Sequence, residues 1–535
     1  MILTSQAQKA PSIGLVELPA RKLIDTEGRN WTEFYKHNAL PSKQVLLAHL
    51  QAEGFDAQLV DLRKGDYQEE YGSLIWRGMR VSKSYEGTNI SSLDPHAYDA
   101  WGVTSNFMGN RQLALMVIQH LASAGRPVVV GGSDAIALPQ VYLDAGASAI
   151  VIDKSGGANV AIFDYVLGRP MREKITGVIL ADGSQYPVRM PPMSPQDWPL
   201  PSLDVVKQCL SSTYFKTGVE GFPPAGSLMA DIGCDRKCDF CQTPTYKTGY
   251  QRMLPERALQ WLALQKEAGA RSVVCSSDQF LGRVLYKEGK QEVIDIMTGI
   301  RELGLAVNWC IGLELKKATK GRGYDRSSED LIPDEEIVNA LWGWDSHNQV
   351  GTYEAFIPAE RPVDGREAYA KLMPWKQHCD MVKAIVRTGI PRIQYGVIMG
   401  LPEDSHETML RLEEAVSELY QDLKTINPAL KFWVGTYAIS PIPGTPQGQA
   451  IRQSGLLRFE DPEIQAGFMT ACADTHHMSY EEVSDWQLRL TNAGYGGTDW
   501  YFDNANNLGS QKQNGSATTT ANTLNLSSNL QASVN

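Results

Sequence analysis

The chain has 535 residues, 43% of them hydrophobic, and sets 50 basic side chains against 61 acidic ones for a formal charge of -11. That length predicts roughly two to four domains with ample apolar material for their cores, and the acidic balance without a long basic run argues against a nucleic-acid-binding surface. There is no run of about eighteen apolar residues to span a membrane and no charged start followed by an apolar signal core, so a cytoplasmic protein is expected.

From residue 12 to about 153 short β-branched runs alternate with amphipathic stretches. Residues 13–18 read as a strand, and 42–54 as a helix that begins after Pro41 and stops at Gly54. Strands are predicted at 57–62, 100–104, 127–130 and 148–153, with a helix over 110–125. Strands separated by helices predict an α/β fold with a parallel, doubly wound sheet that receives ligands beyond the carboxyl ends of its strands. This first domain is assigned to residues 1–188.

Residues 189–226 are rich in proline and read as a linker or strap. A second alternation follows over 227–451, with strands predicted at 228–233, 272–276, 306–311, 349–354, 393–399 and 432–439, which suggests a partial (β/α)6 barrel. A small, mostly helical region is expected over 452–507. Residues 508–535 are nearly all small or polar and are expected to stay disordered.

Eight cysteines in 535 residues do not form a disulfide framework, but three of them cluster in Gly233-Cys-Asp-Arg-Lys-Cys-Asp-Phe-Cys241. Cys234, Cys238 and Cys241 supply three thiolates, and no fourth donor is near: the next cysteine is Cys275 and the next histidine His347. A structural zinc site needs four ligands. An iron-sulfur cubane held by three cysteines leaves one iron open for a small molecule. A structural metal knuckle remains the other reading of the spacing alone.

The C-x3-C-x2-C spacing with Phe240 before the last cysteine resembles the signature of the radical S-adenosylmethionine (SAM) enzymes, and the resemblance extends over roughly residues 12 to 450. It implies a 4Fe-4S cluster on Cys234, Cys238 and Cys241 whose open iron chelates SAM, and an external one-electron reductant of flavodoxin or ferredoxin type. Gly396-Val-Ile-Met-Gly-Leu-Pro-Glu403 resembles the family's fifth-strand motif beside the adenine, which implicates Gly396, Ile398, Gly400 and Glu403; glycines there would let a flat purine approach the backbone. Asp278 in Ser276-Ser-Asp-Gln-Phe280 resembles an acid near the methionine ammonium, although Ser277 stands where relatives have another acid. Glu354 resembles the fourth-strand acid near the ribose, and Ser440-Pro-Ile-Pro-Gly-Thr-Pro446 resembles a turn after the sixth strand.

The preceding α/β domain resembles the cobalamin-binding domain of cobalamin-dependent radical SAM enzymes. The resemblance implies cobalamin contacts from Thr104, Ser105, Gly131, Gly132 and Ser133. Two departures stand out. The D-x-H-x-x-G motif that replaces the lower cobalt ligand is absent from residues 1–190, leaving His37, His49, His96 and His120 without a motif. Where relatives carry Gly-Glu-Gly-Glu, this chain reads Asp153-Lys-Ser-Gly-Gly-Ala.

The function implied is C-methylation of an unactivated carbon in a small molecule or natural product. In the family's scheme an adenosyl radical removes a substrate hydrogen, methylcobalamin supplies the methyl group, and a second SAM restores it. The alternatives are a radical SAM oxidative cyclase or ring-rearranging enzyme without methyl transfer, and a non-catalytic corrinoid and iron-sulfur sensor or carrier. No side-chain general base is assigned. Trp309, Trp342, Trp344, Tyr353, Phe356 and Trp375 either line a substrate pocket or pack the core.

Overall fold

The computed structural model describes residues 10–32, 39–210, 222, 224–324, 330–467 and 469–493. His37, the tail over 508–535 and part of the strap and of the C-terminal region lie outside them.

The first layer system is built on β1 (Ser12–Glu17), β3 (Asp56–Asp61), β6 (Ala100–Thr104), β7 (Val128–Gly131) and β8 (Ala149–Val151), with β2 (Ala20–Asp25), β4 (Tyr67–Trp76) and β5 (Met79–Gly87) interposed along the chain. The five strands are parallel in the order β3-β1-β6-β7-β8, and an antiparallel pair, β9 (Val178–Leu180) and β10 (Gln185–Tyr186), extends the β8 edge. Taken in chain order the parallel strands run 2-1-3-4-5, so the winding reverses between β1 and β6 and leaves a crevice outside their carboxyl ends.

Alternate strand residues go to opposite faces. Ile13, Leu15 and Val129 pack with Leu47 and Leu50 of α1 (Pro41–Ala52) and with Ile162 and Phe163 of α5 (Asn159–Val166). Val16, Val103, Val128 and Val130 pack with Leu113, Val117, Ile118 and Leu121 of α2 (Arg111–Ser123). Each such aliphatic side chain contributes roughly 1.5–3 kcal/mol on burial, which is why unbroken β-branched runs make two-sided strands. Of two short helices, α3 (Ser133–Ala137) packs on β7 and β8, and α4 (Pro139–Asp144) packs on β8.

The sequence reading omits a three-stranded antiparallel sheet, β2-β5-β4. Its apolar side, with Trp31, Trp76 and Val81, packs on Ile451, Ile464, Met469 and Cys472 from the other end of the chain. Trp76 Nε1 donates to the Ala471 carbonyl at 3.2 Å and Tyr71 Oη to Glu463 at 2.8 Å.

After α6 (Leu203–Cys209) the second sheet follows the order β11 (Ala225–Leu228), β14 (Ser272–Cys275), β15 (Ala306–Trp309), β17 (Val350–Glu360), β18 (Arg392–Met399), β19 (Lys431–Ala438), all parallel. A short β12 (Asp231–Ile232) pairs antiparallel with β13 (Gln251–Arg252), and β16 (Trp344–Asp345) antiparallel with β17. Helices α7 (Pro255–Glu267), α8 (Gly289–Glu302), α9 (Glu335–Trp342), α10 (Trp375–Arg387) and α11 (His406–Ile426) cover its outer face, and β11 and β19 are its two edges. It is a six-stranded parallel sheet with the strand order expected of a partial barrel. The chain continues through α12 (Pro446–Gln453), α13 (Pro462–Gln465) and α14 (Tyr480–Ala493), where α14 closes on β19 through Thr436 Oγ1 and Thr491 Oγ1, 2.9 Å apart. None of the described helices is long and apolar enough to cross a membrane.

The two sheets meet through buried polar contacts. Trp261 Nε1 of α7 donates to Gln44 Oε1 of α1 at 2.9 Å, and both residues are fully enclosed. Within the proline-rich stretch Trp198 Nε1 donates to the Ser155 carbonyl at 2.9 Å, while Arg257 of α7 donates to the Trp198 carbonyl.

Candidate functional site

The β12–β13 ladder pinches residues 233–250 into a loop that stands at the carboxyl end of the first barrel strand. Gly233 starts it at φ +78, and a Cβ there would lie 1.6 Å from the Gly249 carbonyl oxygen, so only glycine fits the neck. Gly233 N–H donates to Asp278 Oδ2 at 2.7 Å, and Ala230 N–H to Ser277 Oγ at 2.9 Å. The carboxyl end of β14 therefore holds the stem of the cysteine loop, and Ser277 acts as a backbone clasp.

Cys234, Cys238 and Cys241 are unbridged and half-exposed. Burial pushes the Cys234 thiol up to about 11 against a backbone N–H donated by Arg236, and burial also raises Cys238 against the nearby Lys371. Oppositely charged groups surround the loop. Arg236 pairs with the buried Glu314 at 3.0 Å, and Lys317, itself 1% exposed, pairs with Glu314 at 3.2 Å and with Asp235. On the other side Lys371 pairs with Glu360, lies 4.9 Å from the Phe240 ring centre and feels both Cys238 and Cys241. Among the described residues no three cysteine, histidine or carboxylate groups converge as for a single metal ion. Three thiols on one loop with no fourth donor fit a cubane, where each ligand takes a different iron, better than a mononuclear zinc site.

The fifth-strand motif lies at the same end. Ile398 is the one residue of β18 left partly open, and Gly400 turns the chain at φ +76. The space over Gly396 is not open to a purine: the Phe356 ring fills it, 2.2 Å from where a Cβ would be. Glu403 is exposed, whereas its neighbour Asp404 is fully buried, pairs with Arg361 at 2.7 Å and accepts the Leu401 N–H at 3.0 Å. Asp404 fixes the turn that carries Glu403.

Glu354 sits midway along β17, in register with Asn308, the next-to-last residue of β15, and with Arg392, the first residue of β18, and its carboxylate stands 3.3 Å from Arg392. The strand expected to stop at 354 runs on to Glu360, through a register shift at Pro358 and a left-handed Glu360 at φ +55. The acid at the carboxyl end of the fourth strand is Glu360.

In the first domain the predicted positions gather at the ends of β6 and β7. Gly132 has φ +107, and a Cβ there would lie 2.3 Å from the Ser105 carbonyl oxygen, so this glycine serves the crossing of two chain segments. Ser105 is fully buried and its hydroxyl is 2.8 Å from Tyr142 Oη, in a network that includes Asp134 and Arg111, 2.8 Å apart. That hydroxyl is spent inside the protein. Thr104, Gly131 and Ser133 are partly exposed at the same edge. His120 is bonded to the Leu93 carbonyl and His96 to Arg126. Trp309 and Trp342 are fully buried core residues, and Phe356 packs against Tyr437 with ring centres 5.9 Å apart.

The carboxyl edges of the two sheets face one another. Gln242 of the cysteine loop donates to Pro443 O at 2.8 Å, in the turn after the sixth barrel strand, and reaches Ser133 O at 3.5 Å in the first domain. Lys154, after β8, stands 5.0 Å from the Tyr246 ring centre of the cysteine loop. Glu360, Lys371, Glu314, Lys317 and Lys154 were not singled out from the sequence. The one signal was the Asp153-Lys-Ser segment, where the chain departs from the resembled pattern.

No family model and no curated protein matches the sequence. Solved structures match its fold. The cobalamin-dependent SAM radical enzyme OxsB with aqua-cobalamin bound aligns with a TM-score of 0.62 at 15% identity, over 91% of this chain and 68% of that one. The radical SAM methyltransferase TsrM from Kitasatospora setae, with tryptophan substrate and a SAM analogue bound, aligns with a TM-score of 0.54 at 15% identity, over 83% of this chain and 76% of that one. A second structure of TsrM, with cobalamin and a 4Fe-4S cluster bound, gives 0.53 at 14% identity over 83% and 78%. The chain has the fold of these enzymes.

Proposed function

We propose that this chain is a cobalamin-dependent radical SAM enzyme, and a C-methyltransferase acting on an unactivated carbon of a small molecule. The observation that carries the reading is the convergence, at one cleft, of a three-cysteine loop on the carboxyl end of a six-stranded parallel sheet and the carboxyl edge of a 2-1-3-4-5 sheet. The OxsB and TsrM structures, alike in fold, hold cobalamin, SAM or a SAM analogue, and a 4Fe-4S cluster.

Cys234, Cys238 and Cys241 would hold the cluster, and the edge formed by Thr104, Gly131, Gly132 and Ser133 would border the corrinoid. When bound, the cluster supplies one electron for SAM cleavage and the corrinoid a transferable methyl group. This chain's residues supply position and charge. Asp278 uses Oδ2 to hold Gly233, leaving Oδ1 to accept from an ammonium. Glu360, at the end of the fourth strand, takes the place assigned to Glu354. Phe240, held between Lys371 and Tyr369, gives the cysteine loop an apolar flank. An external one-electron donor of flavodoxin or ferredoxin type would reduce the cluster.

The experiment is incubation of the anaerobically reconstituted protein with methyl-deuterated SAM and candidate substrates. Methylation predicts a product carrying the label. Turnover with no label in any product rejects methyl transfer and leaves the cyclase or rearrangement chemistry.

A further inference from the structure

Lys154 is a partly buried cation at the junction of the two domains. Its neighbours are turned away from it: Asp153 accepts hydrogen bonds from Ser155 N at 2.8 Å, Ser155 Oγ at 2.6 Å and Ala158 N at 3.0 Å, which fixes the turn after β8. Between them Lys154 projects from the carboxyl edge of the first sheet toward the barrel. Its Nζ has one hydrogen-bond partner, Ser133 Oγ at 3.2 Å, and lies 5.0 Å from the Tyr246 ring centre. No carboxylate of the described residues forms an ion pair with it.

Protein crowds the ammonium closely enough that desolvation lowers its pKa, and Asp278 is the opposing charge that offsets this. An ammonium has three donors, and a single neutral hydroxyl leaves two of them for a ligand. Across the cleft Asp278 is similarly placed, crowded by protein yet open to solvent on one side, with Oδ1 unbonded. The two charges do not pair directly, and a ligand with both signs would satisfy them together.

We propose that Lys154 binds the carboxylate of an α-amino-acid head group seated in this cleft, with Asp278 facing the ammonium of the same group. The proposal rests on the reading of the cleft as a cofactor and substrate site. The head group is either that of SAM or that of an amino-acid substrate.

The test is acetylation of Lys154 by an N-hydroxysuccinimide ester, read by mass spectrometry on anaerobic protein whose iron, sulfide and corrinoid contents are measured in the same sample. The protectors are SAM and decarboxylated SAM, then, with SAM present, L-tryptophan, tryptamine and a pool of the other L-amino acids. Protection by SAM but not by its decarboxylated form assigns the carboxylate to the cofactor. Further protection by an amino acid but not by its amine assigns it to a substrate. In either case equilibrium dialysis of the protecting ligand should show Lys154→Met weakening it about ten- to hundredfold and Lys154→Arg retaining part of the affinity. Equal protection by acids and amines, or none by any of them, in a sample with cluster and corrinoid overturns this inference alone. A sample that holds neither group overturns the functional reading instead.

Discussion

Phe356 occupies the space that a side chain at Gly396 would need: an added Cβ would sit 2.2 Å from its ring. The glycine of the fifth strand is thus paired with an aromatic of the fourth. Gly396→Ala should destabilise the protein by about 1–3 kcal/mol through overpacking, and Phe356→Ala in the same chain should recover part of that loss. Denaturant titration of the two single variants and the double variant measures the coupling. Simple additivity would contradict the contact.

The buried Arg361–Asp404 pair holds the turn after the fifth strand. Removing one partner leaves an uncompensated buried charge, so Asp404→Ala should cost about 3–5 kcal/mol. Glu403→Ala, at the exposed neighbour, should leave the unfolding midpoint nearly unchanged. Thermal melts of the two variants side by side separate the structural acid from the accessible one.

Glu354 and Glu360 occupy different levels of the fourth strand, one midway along it and one at its carboxyl end. Glu354→Gln should lower stability and leave SAM affinity of the folded protein unaltered, because the side chain pairs with Arg392 away from the cysteines. Glu360→Gln removes the negative partner of Lys371 beside Cys238 and Cys241. The net gain of positive charge should raise the cluster's midpoint potential by roughly tens of millivolts, and Lys371→Met should lower it. Redox titration followed by electron paramagnetic resonance reads both shifts.

Asp231 gives a pH dependence. Burial raises its carboxyl from 3.8 to about 6, with Arg283 opposing the shift. The folded state therefore holds a proton that the unfolded chain has already released. Stability from this group is full below pH 4 and is lost as pH rises through 6, by up to about 3 kcal/mol. Asp231→Asn should flatten the fall between about pH 4 and 6, as measured by denaturant unfolding of cluster-free protein across that range.

Both parallel sheets were legible because β-branched runs with helical spacers are local signals; of the predicted strands the one at 228–233 is displaced, since the parallel strand is Ala225–Leu228 and Asp231–Ile232 joins the β12–β13 ladder. The β2-β5-β4 sheet was not legible. Tyr85 and Tyr71 reach the first-domain core, but the residues that cover Trp76 on the other side arrive near Ile464 and Cys472. The length of β17 was also hidden, since Pro358 reads as a strand end yet sits at a register shift. The cysteines and the fifth-strand motif were visible as patterns. The charges around them were not, because Glu314, Lys317 and Lys371 reach the loop only through tertiary packing.

Iron and acid-labile sulfide analysis with Mössbauer spectroscopy of the anaerobically reconstituted chain tests the central claim most directly. The account predicts about four irons and four sulfides per chain in a cubane whose one distinct iron responds to added SAM, and loss of the cluster in Cys234→Ala, Cys238→Ala and Cys241→Ala. Stoichiometric zinc on those thiols, or iron without sulfide, would contradict it.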